Sequence, residues 1–264
     1  MKKIKRKIKK KAGKILRRLI ERYGFYVATK ESQEMLLEHL AQPDKVLDFV
    51  LEANGCSSKK SKAQLKQDIV ALIVNRFKKG GYFVEFGATN GVDLSNTFLL
   101  EQEFEWRGIL AEPSPAWHAD LRKNRHCVIE ERCVWRTTGE NLDFDVVKIG
   151  ELSTISSFSQ SDLHAKARAT ATKHVVKTVS LLDLLTTHSA PSLIDYLSVD
   201  TEGSEYEILS AFDFDKFRFN FITVEHNYTE NRERIHALLR RNGYKRILEC
   251  LSKWDDWYVV DAGQ

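Results

Sequence analysis

YFVEFGATNG, residues 82–91, is the stretch that decides the fold: an apolar run of strand-forming residues breaks into a turn carrying Gly87 and Gly91. A run apolar on both faces suits a strand buried in the middle of a sheet. Glycines directly after it let the backbone approach a ligand closely at the sheet's carboxyl edge. Working outward, similar short runs recur at GILAE (108–112), HCVIEE (126–131), LIDYLSVD (193–200) and FITVEH (221–226). Helical periodicity separates most of them, at 94–102, 115–123, 204–211 and 230–242. Strands alternating with helices predict a parallel sheet built from right-handed crossovers. The final segments, YKRILECL (244–251) and DWYVVD (256–261), show no helical stretch between them and read as an antiparallel pair closing one edge. Residues 138–180 are the least regular part and read as an insertion beside the site.

Upstream, helices are expected over 31–53 and 63–78, the second stopping before Gly80-Gly81, with the polar stretch NGCSSKKS (54–61) as boundary. This gives an extension over 1–60 and a main domain over 61–264. The chain has 264 residues, 42% hydrophobic and 30% charged, with only 4 Pro, which supports a packed core and excludes collagen-like or wholly disordered readings. No apolar run is long enough to span a membrane. The net charge of +4 is unevenly placed, because residues 1–18 hold 11 Lys/Arg and no acid, so the rest is net acidic. That pattern differs from a uniformly basic nucleic-acid-binding domain, and nucleic acid is not expected as a partner. Ile4, Ile8, Ile15, Leu16, Leu19 and Ile20 fall near a helical period among the lysines. Residues 1–22 therefore read as a basic amphipathic helix suited to peripheral contact with an anionic membrane or an acidic partner. Cys56, Cys127, Cys133 and Cys250 form no C-x-x-C pair, so neither a disulfide framework nor a structural zinc site is expected and the cytoplasm is the natural compartment.

The chemistry-bearing residues gather where strands end. Glu85-Phe86-Gly87-Ala88-Thr89-Asn90-Gly91 departs from the G-x-G-x-x-G of a dinucleotide site and carries an acid suited to a cationic amine. Glu112, followed by Pro113, ends the second strand about 20 residues on, where a carboxylate accepts hydrogen bonds from both hydroxyls of a ribose. Together they describe an adenosine-type cofactor lacking a pyrophosphate; S-adenosylmethionine (SAM) fits, and NAD remains open. Ser95-Asn96-Thr97 opens the following helix and either meets the cofactor's carboxylate through its amides or simply caps the helix. Gln67-Asp68 either lids the pocket or faces solvent. The fourth strand ends in Asp200-Thr201-Glu202-Gly203-Ser204-Glu205. Asp200 and Glu202 are expected to position a hydroxyl, take its proton or hold a divalent cation such as Mg²⁺, while Ser204 and Glu205 start the next helix. The fifth strand ends in Glu225-His226-Asn227, and His226 is the expected general base.

Read together, VEFGATNG (84–91), SNTFLLE (95–101), GILAEPSPAW (108–117), NRHC (124–127), IDYLSVDTEGSEYEIL (194–209) and VEHN (224–227) resemble the FkbM family of SAM-dependent methyltransferases, over about residues 63–260. The resemblance implies a class I, Rossmann-like α/β fold: a seven-stranded, mostly parallel sheet with one antiparallel edge strand, here preceded by a helical extension. It implies methyl transfer to oxygen, commonly a hydroxyl of a sugar in a bacterial surface polysaccharide or secondary metabolite. Carried over, Glu85, Gly87, Ala88, Asn90 and Gly91 match the SAM loop, with Ser95 and Asn96 beside it, and Glu112-Pro113 match the ribose position. Asp200, Glu202 and Glu225-His226 match the positions near the acceptor. A small molecule, lipid or peptide acceptor, or a non-catalytic recruitment module, are the competing readings.

Overall fold

The structure is a computed structural model that describes residues 43–147, 153–159 and 171–261. The expected basic helix of residues 1–22 lies outside the described residues. Strands β1 (Tyr82–Phe86), β2 (Arg107–Ala111), β3 (Val128–Glu130), β8 (Leu193–Val199), β9 (Arg218–Glu225), β10 (Tyr244–Ile247) and β11 (Asp255–Val260) form one sheet in the order β10-β11-β9-β8-β1-β2-β3. The contacts β2–β3, β1–β2, β1–β8 and β8–β9 are parallel.

Register explains why these runs had to be strands. Ile109, Val84, Leu197, Ile222 and Tyr258 stand side by side across five strands and point to one face. Phe83, Leu110, Tyr196, Phe221 and Trp257 point to the other. Each face is then covered by helices, and burying each such side chain contributes about 1.5–3 kcal/mol before chain entropy is counted. On the first face lie α5 (Leu181–Thr187), α6 (Glu205–Ser210) and α7 (Asn231–Arg241). On the second lie α1 (Pro43–Ala53), α2 (Gln67–Val74), α3 (Phe98–Phe104) and α4 (His118–Asn124). Leu47, Leu51 and Cys56 are buried in that second cluster, so the core packing starts upstream of the boundary placed at residue 60.

Three expectations need correcting. First, the antiparallel strand is not at the edge: β11 lies between β9 and β10, antiparallel to both. Composition explains the swap, because Trp257, Tyr258 and Val259 are buried whereas Lys245 and Arg246 give β10 the charged look of an edge strand. A short helix, α8 (Glu249–Ser252), joins the two. Second, the described residues within 138–180 include regular strands. Together with Cys133–Trp135 (β4) they supply β5 (Asn141–Val146), β6 (Thr154–Ile155) and β7 (Thr172–Ser180), a second sheet ordered β4-β7-β5-β6 around its own small core of Trp135, Phe144, Ile155 and Val176. Third, two helices are shorter than their periodicity suggests. Leu94 is left-handed and Ser95–Thr97 are bonded elsewhere, so α3 starts at Phe98; left-handed Lys66, Arg76 and Phe77 bound α2.

Candidate active site

A cavity of about 610 Å³ opens at the carboxyl edge of the main sheet, where β1, β2, β8 and β9 end. The chain leaves β1 toward β2 on one side and meets β8 on the other, the topological switch at which doubly wound sheets bind ligands. Gly87 sits where β1 and β8 converge. It is left-handed (φ 71°), and a Cβ there would stand 2.3 Å from the Asp200 carbonyl oxygen, so only glycine closes this floor.

On the β1/β2 side the acids are anchored by donors. Glu112 Oε2 accepts the Thr89 N–H (2.9 Å) and Oε1 accepts the Ser114 N–H (2.8 Å). Burial pushes its carboxyl up to about 7, and those two amides pull the other way. It lines the cavity together with Pro113. Glu85 accepts from the Asn96 N–H (2.7 Å), from Ser95 Oγ (3.0 Å) and from Thr97 Oγ1, with the buried Arg125 guanidinium 3.9 Å away. The Thr97 and Phe98 amides donate to Ser95 Oγ. The 95–97 amides are thus answered within the chain, as in the capping alternative. Asn96 still faces the cavity: its Nδ2 donates to Ser198 Oγ (2.9 Å), and its buried Oδ1 has no partner among the described residues.

Not every loop residue reaches the cavity. Gly87, Ala88, Ser95 and Asn96 line it, whereas Asn90 and Gly91 stand behind the loop. Asn90 Oδ1 accepts the Val92 and Asp93 N–H groups (both 2.9 Å), making a side-chain turn. At Gly91 a Cβ would stand 2.6 Å from Leu121 and Arg125 side-chain atoms, so this glycine seats the loop on α4.

On the β8/β9 side the carboxyls face one another. Asp200, Glu202 and Glu225 bring carboxylate oxygens within 4.8 Å, a donor set of the kind a divalent cation takes. Burial, then the neighbouring Asp255 and Glu205, push Asp200 up to about 7, and Glu225, buried beside Asp200, rises well above the ordinary range. Burial also lifts Asp255 to about 6. Half-buried Asp200 and buried Glu225 lie close together, and like charges crowded in one site raise the proton affinity of both. A carboxyl raised to about 7, as Asp200 is, can accept a proton near neutral pH. Glu205 Oε1 accepts from Thr201 N, Thr201 Oγ1 and Gly203 N, each at 3.0 Å. It therefore performs the turn-fixing role expected of it, while Ser204 lines the cavity and makes no cap bond.

His226 is not where a base is needed. It lies outside the cavity lining, its Nδ1 accepts the Tyr228 N–H (2.9 Å), and its Nε2 faces Asp256 (3.7 Å), with burial holding its pKa below normal. One ring nitrogen is thus occupied by the backbone and the other turned to the sheet, whereas the Asp200 and Glu225 carboxyls line the cavity. Asp68 is fully buried and bonded to Ser61 Oγ and the Ile69 N–H, which overturns the solvent-facing alternative. Gln67 lines the cavity and donates to Asp255 Oδ2 (2.8 Å). Sequence reasoning missed Asp255, Tyr228 and Trp254, all of which line the cavity. The only signal was their place beside strand ends: Trp254 precedes β11, Asp255 opens it, and Tyr228 follows β9 by three residues.

The model of the methyltransferase FkbM domain matches residues 85–246, more than half of the chain. No curated protein matches the sequence. Among solved structures, the FkbM methyltransferase from Methylobacillus flagellatus KT is 12% identical with a TM-score of 0.45, the likeness covering 94% of this chain and 60% of that one. This chain thus spans less than two thirds of that protein's length. A precorrin-6y C5,15-methyltransferase from Geobacter metallireducens GS-15 is 13% identical (TM-score 0.36; 68% and 71% covered), and a methyltransferase from Pyrococcus furiosus is 13% identical (0.37; 73% and 81%). With its sheet order, its single antiparallel strand inside the sheet and the matching domain model, the chain belongs to the FkbM family of SAM-dependent methyltransferases and has their class I fold.

Proposed function

We propose that this chain transfers the methyl group of SAM to a hydroxyl oxygen, that of a sugar in a glycan or secondary metabolite. The observation that supports this most is the pairing of half-buried Asp200 with buried Glu225 in the cavity that Glu112 also lines. Bound SAM supplies a methyl already activated by its sulfonium, leaving the protein to orient two reactants and receive one proton. Glu112 and its Pro113 neighbour would hold the ribose, and Gly87 and Ala88 let the ligand lie against the backbone. Asp200, ionised beside Glu225, would take the hydroxyl proton as the oxygen–methyl bond forms and the methyl–sulfur bond of SAM breaks. Unactivated hydroxyls are poor nucleophiles, and a positioned base contributes about 10²–10⁴-fold.

The donor set of Asp200, Glu202 and Glu225 also fits a divalent cation, which would lower the hydroxyl's pKa. Among the described residues no helix is long and apolar enough to cross a membrane. Attachment through the basic residues 1–22 would place the enzyme at an anionic surface, and deleting them should release it from membrane fractions. The test of the main reading is methyl transfer from isotope-labelled SAM to sugar acceptors, with and without Mg²⁺, by wild type and Asp200→Asn. Loss of transfer by 100-fold or more with SAM affinity kept within threefold supports it. Undiminished transfer by Asp200→Asn removes Asp200 from the mechanism.

A further inference from the structure

The cavity mouth carries a feature that cofactor binding does not explain. Tyr228 is 64% exposed and Leu94 46% exposed, yet both line the cavity, with Trp254 beside them. One face of Trp254 is already covered by the Lys253 ammonium, 5.4 Å from its ring, which leaves Tyr228 as the open aromatic surface. Tyr228 is held there against backbone preference: Asn227 (φ 43°) and Tyr228 (φ 57°) are consecutive left-handed residues, a conformation that persists only where the surroundings enforce it.

His226 supplies that enforcement. Its Nδ1 accepts the Tyr228 N–H (2.9 Å), and its carbonyl accepts the Thr229 N–H (2.8 Å) and Thr229 Oγ1 (2.9 Å). The Trp254 carbonyl accepts the His226 and Asn227 N–H groups (2.9 and 3.2 Å). The imidazole also packs edge-on against the Tyr228 ring, with centroids 5.3 Å apart. Below the rim lie the carboxyls of Asp200, Glu202, Glu225 and Asp255, and among the described residues no Lys, Arg or His lines the cavity.

We infer that this rim is the acceptor subsite. Tyr228 is the platform on which the apolar face of a sugar-like ring stacks, His226 is the positioning residue that holds it, and the occupant is a neutral or positively charged alcohol, not an anionic one. Aromatic faces bind ring C–H surfaces, amides such as Asn227 meet hydroxyls, and a carboxyl floor repels a carboxylate or phosphate that it would have to desolvate. The inference rests on the hydroxyl-methylating reading above.

The experiment is saturation-transfer NMR on the full chain loaded with S-adenosylhomocysteine, using methyl glucoside, methyl glucosaminide and methyl glucuronide as probes. Calorimetric SAM affinity of every variant serves as the fold control. Signals from the first two probes, with the glucuronide at least tenfold weaker, are expected. Tyr228→Ala should abolish them, His226→Leu should weaken them at least fivefold, and His226→Asn, whose Oδ1 can accept the Tyr228 N–H, should restore them. Equal glucuronide binding, no probe binding, survival of the signal in Tyr228→Ala, or wild-type binding by His226→Leu each overturns the inference. Absence of SAM binding would instead overturn the methyltransferase reading, so the two failures are distinct.

Discussion

Across one cavity floor, buried carboxyls are treated in two opposite ways. Glu85 and Glu112, after β1 and β2, are answered by backbone amides and hydroxyls, and Glu85 also lies near the buried Arg125. Asp200 and Glu225, after β8 and β9, answer each other, with Asp255 alongside. The first arrangement fixes acceptor oxygens in space, which suits holding a ligand in one pose. The second raises the proton affinity of its carboxyls, which would suit a reaction that must accept a proton. On the proposed function, the fold would divide binding and proton transfer between the two halves of a single sheet edge.

The largest expected effect comes from breaking the second half alone. Asp200→Asn should lower methyl transfer by at least about 10²-fold while SAM affinity stays within about threefold. A parallel collapse of affinity would erase the division. Next is the seam between the halves, where Gly87→Ala would place a Cβ 2.3 Å from the Asp200 carbonyl at φ 71°. Destabilisation by about 2 kcal/mol or more, read from a urea midpoint, is expected, and a neutral result would mean the two strand ends can part.

On the first half, Glu112→Gln should weaken SAM binding by about 10-fold, the scale of a hydrogen bond to a charged group. Because burial holds Glu112 at about 7, wild-type affinity should fall as pH drops through 7, and the variant should titrate flat there. The smallest effect is on stability. Asp200, Asp255 and Glu112 have folded pKa values raised to about 7, 6 and 7, so the native state binds more protons than the unfolded chain between about pH 4 and 7. Their contribution is fully present below pH 4 and is lost as pH rises through 7, at up to about 1.4 kcal/mol per unit for each group. Asp200→Asn should therefore melt higher than wild type at pH 8 and equally at pH 4. A variant less stable at pH 8 would show that the carboxylate is compensated after all.

Much of this arrangement is legible in residue order, because a parallel strand delivers its last residue to the carboxyl edge. Glu85, Glu112, Asp200 and Glu225 were found by that rule alone. Asp255 escaped it: on an antiparallel strand the first residue, not the last, reaches that edge. His226 shows a different limit. Its position was right, but its ring is claimed by the N–H of Tyr228, a turn bond that no spacing encodes. The second sheet was missed because β5 reads NLDFDV, with two acids in six residues, and pairs with a strand nearly thirty residues away in sequence. Gly91 was read as a ligand contact, yet its missing side chain makes room for Leu121 and Arg125.

The division of labour is tested most directly by calorimetric titration of SAM into wild type, Glu112→Gln and Asp200→Asn at pH 8. Saturable one-site binding by wild type, weakened about tenfold in Glu112→Gln and unchanged in Asp200→Asn, is the predicted result. Equal weakening in both variants, or no binding by folded wild type, would contradict it.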